Sequence, residues 1–282
     1  MDKQTRINAG KNKFIVTEKL LKYGDLPLSY TLHIGGDYDS CVSVSYSFRN
    51  GLPIGANLPY LRYEPECSIG STLERSTGSV FIIKTLLRFA HDKIKTIDIF
   101  SFDDMSHIDC MEKDLSQPPP RHPGRPLKLS FFSIAYNGMT WYETHFNATM
   151  KDKEKYQQYK QRLSFLTNEK SKLGYEKFLE ITKAPEEQHE MLKTWYDTSS
   201  TYREFFNNIP KDTRCDILLP WLSNFMTHFI GDVFSDKGWE IDINTMDKHT
   251  GGYRNKTKKR SKQSYIFPSN RRVIHYEDIH TM

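Results

Sequence analysis

Apolar and polar residues alternate along two early stretches of the chain. Leu28-Ser29-Tyr30-Thr31-Leu32-His33-Ile34 has a period of two, and Cys41-Val42-Ser43-Val44-Ser45-Tyr46-Ser47-Phe48 alternates more cleanly. Successive side chains of a strand point to opposite faces, so both stretches read as strands. Gly35-Gly36-Asp37 between them is a turn signal and suggests a hairpin. Asn50-Gly51 and Pro53 end the second strand. Residues 1–25 read as polar with one amphipathic patch, from Phe14-Ile15-Val16 to Leu20-Leu21, and residues 58–63 and 67–73 as short extended segments.

The period changes at Gly78. Val80, Ile83, Leu86, Leu87 and Ala90 fall at helical spacing, which predicts a helix over 79–91 with Ser79 as its cap. Thr96 to Phe102 then reads as a strand, so the run is strand, loop, helix, strand, the order of a β-α-β crossover. Five prolines between 111 and 128 predict a surface loop. Phe131 to Phe146 reads as helical, with Asn137-Gly138 as a point of interruption. Lys151 to Thr182, Glu186 to Asn208 and Asp212 to Phe234 read as three helices separated by Pro185 and Pro210. The expected fold class is α/β: a mixed sheet with flanking helices over 1–150, a C-terminal helical region over 151–250, and a tail over 251–282.

Composition adds three constraints. No apolar run approaches the roughly 20 residues of a membrane helix, and Met1 to Arg6 leads into no apolar segment, so an intracellular protein is expected, in cytoplasm, nucleus or a packaged particle, with no membrane partner. None of Cys41, Cys67, Cys110 and Cys215 stands in a C-x-x-C pair, so reduced, buried thiols are expected. The net charge of +5 is segregated: residues 254–282 hold eight Lys or Arg against two acids, whereas 1–253 hold 32 bases against 33 acids. A nucleic acid or acidic protein is therefore expected to meet the chain through 254–272. Nothing in the pattern addresses the oligomeric state.

The sharpest chemical feature is Arg75-Ser76-Thr77-Gly78-Ser79-Val80, between an extended segment and a helix. Glycine lets a backbone approach a ligand closely. A helix start offers unpaired N–H groups and the positive end of the dipole, a site for pyrophosphate. Arg75-x-x-Gly78-x-Val80 resembles the Q/R-x-x-G-x-G/A pattern with which GCN5-related N-acetyltransferases hold acetyl-CoA, with Val80 in place of the final small residue. Ile97 to Phe102 then corresponds to that family's next strand. Thr140-Trp141-Tyr142-Glu143-Thr144-His145-Phe146 resembles its Y-E-x-x-G-F helix end, without the glycine. The resemblance covers roughly residues 70–150 and extends to uncharacterised proteins of large DNA viruses that share Phe102-Asp103-Asp104 and Gly138 to Glu143.

The resemblance implies acetyl-CoA bound by residues 75–80 and Tyr142 as the acid that protonates the departing thiolate. Transfer to an amine also needs a base. Glu64, Glu66 and Glu74 lie near the presumed central strand and each can fill that role, with Glu66 as the working candidate. His107, Asp109 and Cys110 beside Asp103 and Asp104 are metal-ligand types without the spacing of a metal site. The alternative function is a binding or structural protein without turnover that uses its basic tail.

Overall fold

The computed structural model describes residues 3–9, 12–36, 41–61, 67–69, 73, 77–108, 110, 127–248 and 276–279. The chain folds as two compact units. Unit 1 comprises Met1–Phe102, Glu240–Asp247 and Arg254–Met282, and unit 2 comprises Asp103–Trp239 and Lys248–Tyr253. The expected boundary at residue 150 thus lies inside unit 2.

Among the described residues, unit 1 is a mixed sheet with one α-helix. Its strands are β1 (Lys3–Ala9), β2 (Asn12–Tyr23), β3 (Leu26–Gly35), β4 (Val42–Arg49), β5 (Leu52–Leu61), β6 (Ile99–Phe102), β10 (Trp239–Asp242) and β11 (Tyr276–Ile279). They lie in the order β11-β1-β2-β3-β4-β5-β6-β10. The first five form an antiparallel meander, and β5 runs parallel to β6. The helix α1 (Thr77–Lys93) connects that parallel pair.

The core side of the sheet follows from alternation. Phe14 and Val16, Leu32 and Ile34, and Val42, Val44 and Tyr46 are buried, and the register sets Val16 opposite Ile34 and Val44 opposite Leu32. Against them α1 buries Ile82, Ile83, Leu86, Leu87 and Ala90. The other face carries hydroxyls, with Thr31 and Ser45 opposite one another and their oxygens 3.2 Å apart.

Several expectations are corrected here. Residues 1–25 are not an amphipathic patch in a polar arm but two strands. As expected, the strand before Asn50-Gly51 ends there, at Arg49, and the two residues turn the chain into β5 with positive φ (52° and 78°), as a two-residue hairpin turn needs. The strand expected over 58–63 begins at Leu52. α1 starts at Thr77, so Ser79 lies inside its first turn rather than capping it.

Unit 2 is mainly helical. A short hairpin, β7 (His107–Ile108) with β8 (Leu127–Lys128), leads into α2 (Leu129–Asn137) and α3 (Trp141–Phe146). Gly138 at φ 74° caps α2, so the Asn137-Gly138 interruption is a helix end. After β9 (Thr149–Met150) come α4 (Lys153–Arg162), α5 (Tyr175–Thr182), α6 (His189–Asp197), α7 (Tyr202–Asn208), α8 (Arg214–Leu218) and α9 (Leu222–Ile230). The three expected long helices are thus six shorter ones. Their ends are local: Asp152 caps α4 and Thr201 caps α7 by accepting from backbone N–H groups, and Lys183 closes α5 at φ 53°. Phe178, Tyr196, Tyr202, Phe205, Phe206, Trp221 and Phe225 fill the interior.

The cysteines are not free thiols. Cys41 is bonded to Cys67 within unit 1 and Cys110 to Cys215 within unit 2, with Cα atoms 6.0 and 5.4 Å apart. Sequence separations of 26 and 105 residues carry no pairing signal, which is why the expectation of reduced thiols fails. Among the described residues, no helix is long and apolar enough to cross a membrane.

Candidate functional site

Within unit 1, the carboxyl ends of the parallel pair and the start of α1 make the best site. Ala56 pairs with Phe100 and Asn57 with Ser101. β6 ends at Phe102, but β5 continues to Leu61 beside β4, with Tyr60 opposite Ser43 and Leu61 opposite Val42. The β4–β5 register shifts between Ser43 and Ser45, which leaves one extra residue in β5 at Leu58-Pro59. Such a bulge bends its strand, and Pro59 has no N–H for the ladder. β6 ends at Phe102, and β5 goes on past it to Leu61 at the carboxyl ends of the pair. In open sheets, that is where parallel strands bind ligands.

α1 follows β5 in sequence, and Phe81 in its first turns packs on Phe14 of β2 with ring centroids 6.1 Å apart. Its first turn holds no acid. The positive end of a 17-residue helix is thus not offset by a carboxylate of its own first turn. Gly78 is buried there, and Ser79 and Val80 are half-buried. Of Thr77 only the backbone belongs to the described part. Arg75 and Ser76, and all three candidate bases Glu64, Glu66 and Glu74, lie outside the described residues.

α1 is held firmly. Tyr46 donates to the Ala90 carbonyl, and Lys93 pairs with Glu18 at 2.8 Å. Lys84 and Arg88 reach Asp247 at 2.8 and 2.6 Å. Burial pushes the Asp247 carboxyl up, but the hydrogen bonds and charges of Lys84 and Arg88 outweigh it and hold it below the usual range.

Tyr142 belongs to unit 2, on α3. It is buried at 5% exposure, and its ring packs with those of Trp141 and Phe146. Burial, and then the charge of Asp104, push its phenol far above the ordinary value. It is therefore a neutral hydroxyl at every physiological pH. Its neighbour Glu143, 2% exposed, was not singled out from sequence. Glu143 accepts from the Thr140 N–H at 2.8 Å, Tyr156 at 3.0 Å, Tyr159 at 2.9 Å and Lys160 at 3.1 Å. The Thr140 hydroxyl accepts in turn from the Glu143 N–H, which completes a capping box. So many donors occupy the carboxylate that it orders α3 and α4 rather than taking a proton from a substrate. The Thr140-x-x-Glu143 spacing was the signal that could have marked it.

Asp104 is the other buried acid of unit 2, at 4% exposure. Burial pushes its carboxyl up to about 6, against hydrogen bonds from the Ser106 hydroxyl and N–H, with the charge of Asp236 adding to the rise and His107 opposing it. Among the described residues, which leave out Asp109, no three His, Cys, Asp or Glu side chains are grouped to hold an ion.

No family model, curated protein or solved structure matches the chain. Function must therefore be argued from these sites.

Proposed function

We propose that the chain is an acetyltransferase-like protein that binds acetyl-CoA at the start of α1, with an amine as acceptor. One observation carries this reading. The helix that joins the parallel pair β5 and β6 starts with a buried glycine and holds no acid in its first turn. An extended pantetheine arm needs a gap between strands, and a pyrophosphate needs unpaired N–H groups. The start of α1 fits the second need.

Acetyl-CoA bound there supplies an activated acyl group. The backbone N–H groups of Thr77, Gly78, Ser79 and Val80 receive the pyrophosphate, and Arg75 and Ser76, next before them in sequence, add polar contacts. Glu66 takes the proton of the amine. The amine nitrogen attacks the thioester carbonyl, the C–S bond breaks, and the CoA thiolate leaves and takes its proton from solvent.

Calorimetric titration of the full chain with acetyl-CoA tests the binding step. Gly78→Trp fills the approach to the helix start. Ser79→Glu puts an acid in the first turn, which favours the helix but repels an anion. Saturable binding that Ser79→Glu weakens by about tenfold or more, with no drop in melting temperature, is expected. Absence of binding at millimolar acetyl-CoA overturns the reading.

The segregated charge of the tail favours a second role. Residues 254–272 bind nucleic acid in this proposal, and affinity falls steeply as salt rises. Binding that survives deletion of 254–282 overturns it. The two disulfides favour oxidising surroundings, which among the expected locations points to a particle rather than a reducing cytosol.

A further inference from the structure

The turn end of the meander in unit 1 is apolar where a soluble sheet would be polar. Leu20, Leu21 and Tyr23 in β2, Leu26 in β3, and Leu52 and Ile54 in β5 are between 47% and 79% exposed. Isolated exposed leucines are ordinary, but a contiguous group is not. These residues sit together because two hairpin turns lie at the same end of the sheet. Tyr23 pairs with Leu26 across one turn and Arg49 with Leu52 across the other. The turns adjoin, since a Cβ on Gly51 would lie 3.6 Å from Leu26 Cδ2.

The helix does not cover this end. Near its last turn α1 is fastened to Tyr46 through Ala90 and to Glu18 through Lys93. Leu20 is level with Tyr46 through Tyr30, and Leu21, Tyr23, Leu26, Leu52 and Ile54 lie nearer the turns than that level.

Two features say what covers it. First, Leu20 and Leu21 are consecutive in a strand and so point to opposite faces. A protein docking on one face would leave the other apolar face in water, whereas an apolar medium receives both. Second, the rim is basic. Lys19, Lys22 and Arg49 are exposed around the turns, against one exposed acid, Asp25. Two copies meeting turn to turn would bring like charges together, whereas an anionic surface complements them.

The geometry points to the paired hairpin turns Tyr23–Leu26 and Arg49–Leu52 as a peripheral membrane contact, in which the apolar side chains enter the headgroup and acyl boundary of an anionic bilayer. Lys22 and Arg49 keep their charges at the phosphate level while their stems lie along apolar surface. Tyr23 places a ring with a polar tip at the depth such side chains favour. This is surface binding, not spanning, and is consistent with the lack of a membrane-crossing helix among the described residues.

Flotation of the full chain with vesicles of phosphatidylcholine, and of phosphatidylcholine containing phosphatidylserine, tests the contact. The chain is expected to float with the anionic vesicles and to bind the neutral ones more weakly. The double variant Leu26→Ser, Leu52→Ser leaves every charge in place, including those of residues 254–272, and alters only exposed side chains. It is expected to lose about tenfold or more in partition onto anionic vesicles with an unchanged melting temperature. Lys22→Gln with Arg49→Gln is expected to lose roughly tenfold, and high salt to mimic it. Binding that the serine variant retains assigns the contact to other basic residues and overturns the proposal. So does failure to float, and so does a concentration-dependent self-association that the serine variant abolishes, which would make a second copy the occupant.

Discussion

The Tyr46 hydroxyl donates to the backbone carbonyl of Ala90 at 2.6 Å, across 44 residues of sequence. The bond ties the middle of β4 to the last turns of α1, where the Ala90 carbonyl also accepts from the Ile94 N–H at 3.1 Å. Burial pushes the Tyr46 phenol well above its ordinary value, so it remains a donor at any pH at which the fold survives. Tyr46→Phe leaves a buried carbonyl without this donor and keeps the packing. A loss of about 1 to 2 kcal/mol in urea denaturation is expected, with faster amide exchange over 88–93 than over β3.

Glu143 should be the most sensitive polar position of unit 2. Glu143→Ala removes the acceptor for two tyrosines, a lysine and a helix-cap N–H at once. Buried donors left without partners make the cost roughly 3 to 5 kcal/mol. Glu143→Gln keeps one acceptor oxygen and should cost less. The ordering Ala, then Gln, then Tyr156→Phe as progressively milder changes is read from denaturation midpoints. Equal effects for Ala and Tyr156→Phe would contradict the shared role.

How much of this was legible in sequence depends on what kind of signal each feature leaves. α1 was, because Val80, Ile83, Leu86, Leu87 and Ala90 repeat at helical spacing over a face that is truly one-sided. β3 and β4 were, because one of their faces is core and the other hydroxylic. β2 was not. Its alternation holds for Phe14 and Val16, then dissolves into Lys19, Leu20, Leu21 and Lys22, where the strand nears the turn and burial no longer selects residue type. The helix breaks of unit 2 come from capping residues such as Asp152 and Thr201, which are common enough in loops to carry little weight alone. The bulge at Leu58-Pro59 is a register effect between β4 and β5, and register is decided between strands rather than within one.

Pairing of the cysteines is a further case, since four cysteines allow three connectivities and the chain order does not choose. The observed pairs close loops of 26 and 105 residues. By chain entropy, the longer bond contributes up to about 5 kcal/mol and the shorter about 3 kcal/mol. Intact protein is expected to weigh about 4 Da less before reduction than after it, two hydrogens per bond. Cys110→Ser with Cys215→Ser should lower the melting temperature more than Cys41→Ser with Cys67→Ser. A chain that alkylates at all four cysteines without reductant would contradict both bonds.

Asp104 makes stability depend on pH in an unusual direction. Its carboxyl titrates near 6 in the folded chain against 3.8 as the ordinary value. The folded state therefore holds this proton more tightly than the unfolded state does. Its contribution is complete below pH 4 and is lost as pH rises through 6, a total of about 3 kcal/mol. Most paired carboxylates act the other way, as Asp247 does under Lys84 and Arg88. Asp104→Asn keeps an oxygen for the Ser106 hydroxyl and N–H but has no charge to bury. The variant should match the parent near pH 4 and exceed it in denaturation midpoint at pH 7. A difference that does not change between those two pH values would mean that Asp104 stays ionised in the folded chain, with Ser106 and His107 outweighing its burial.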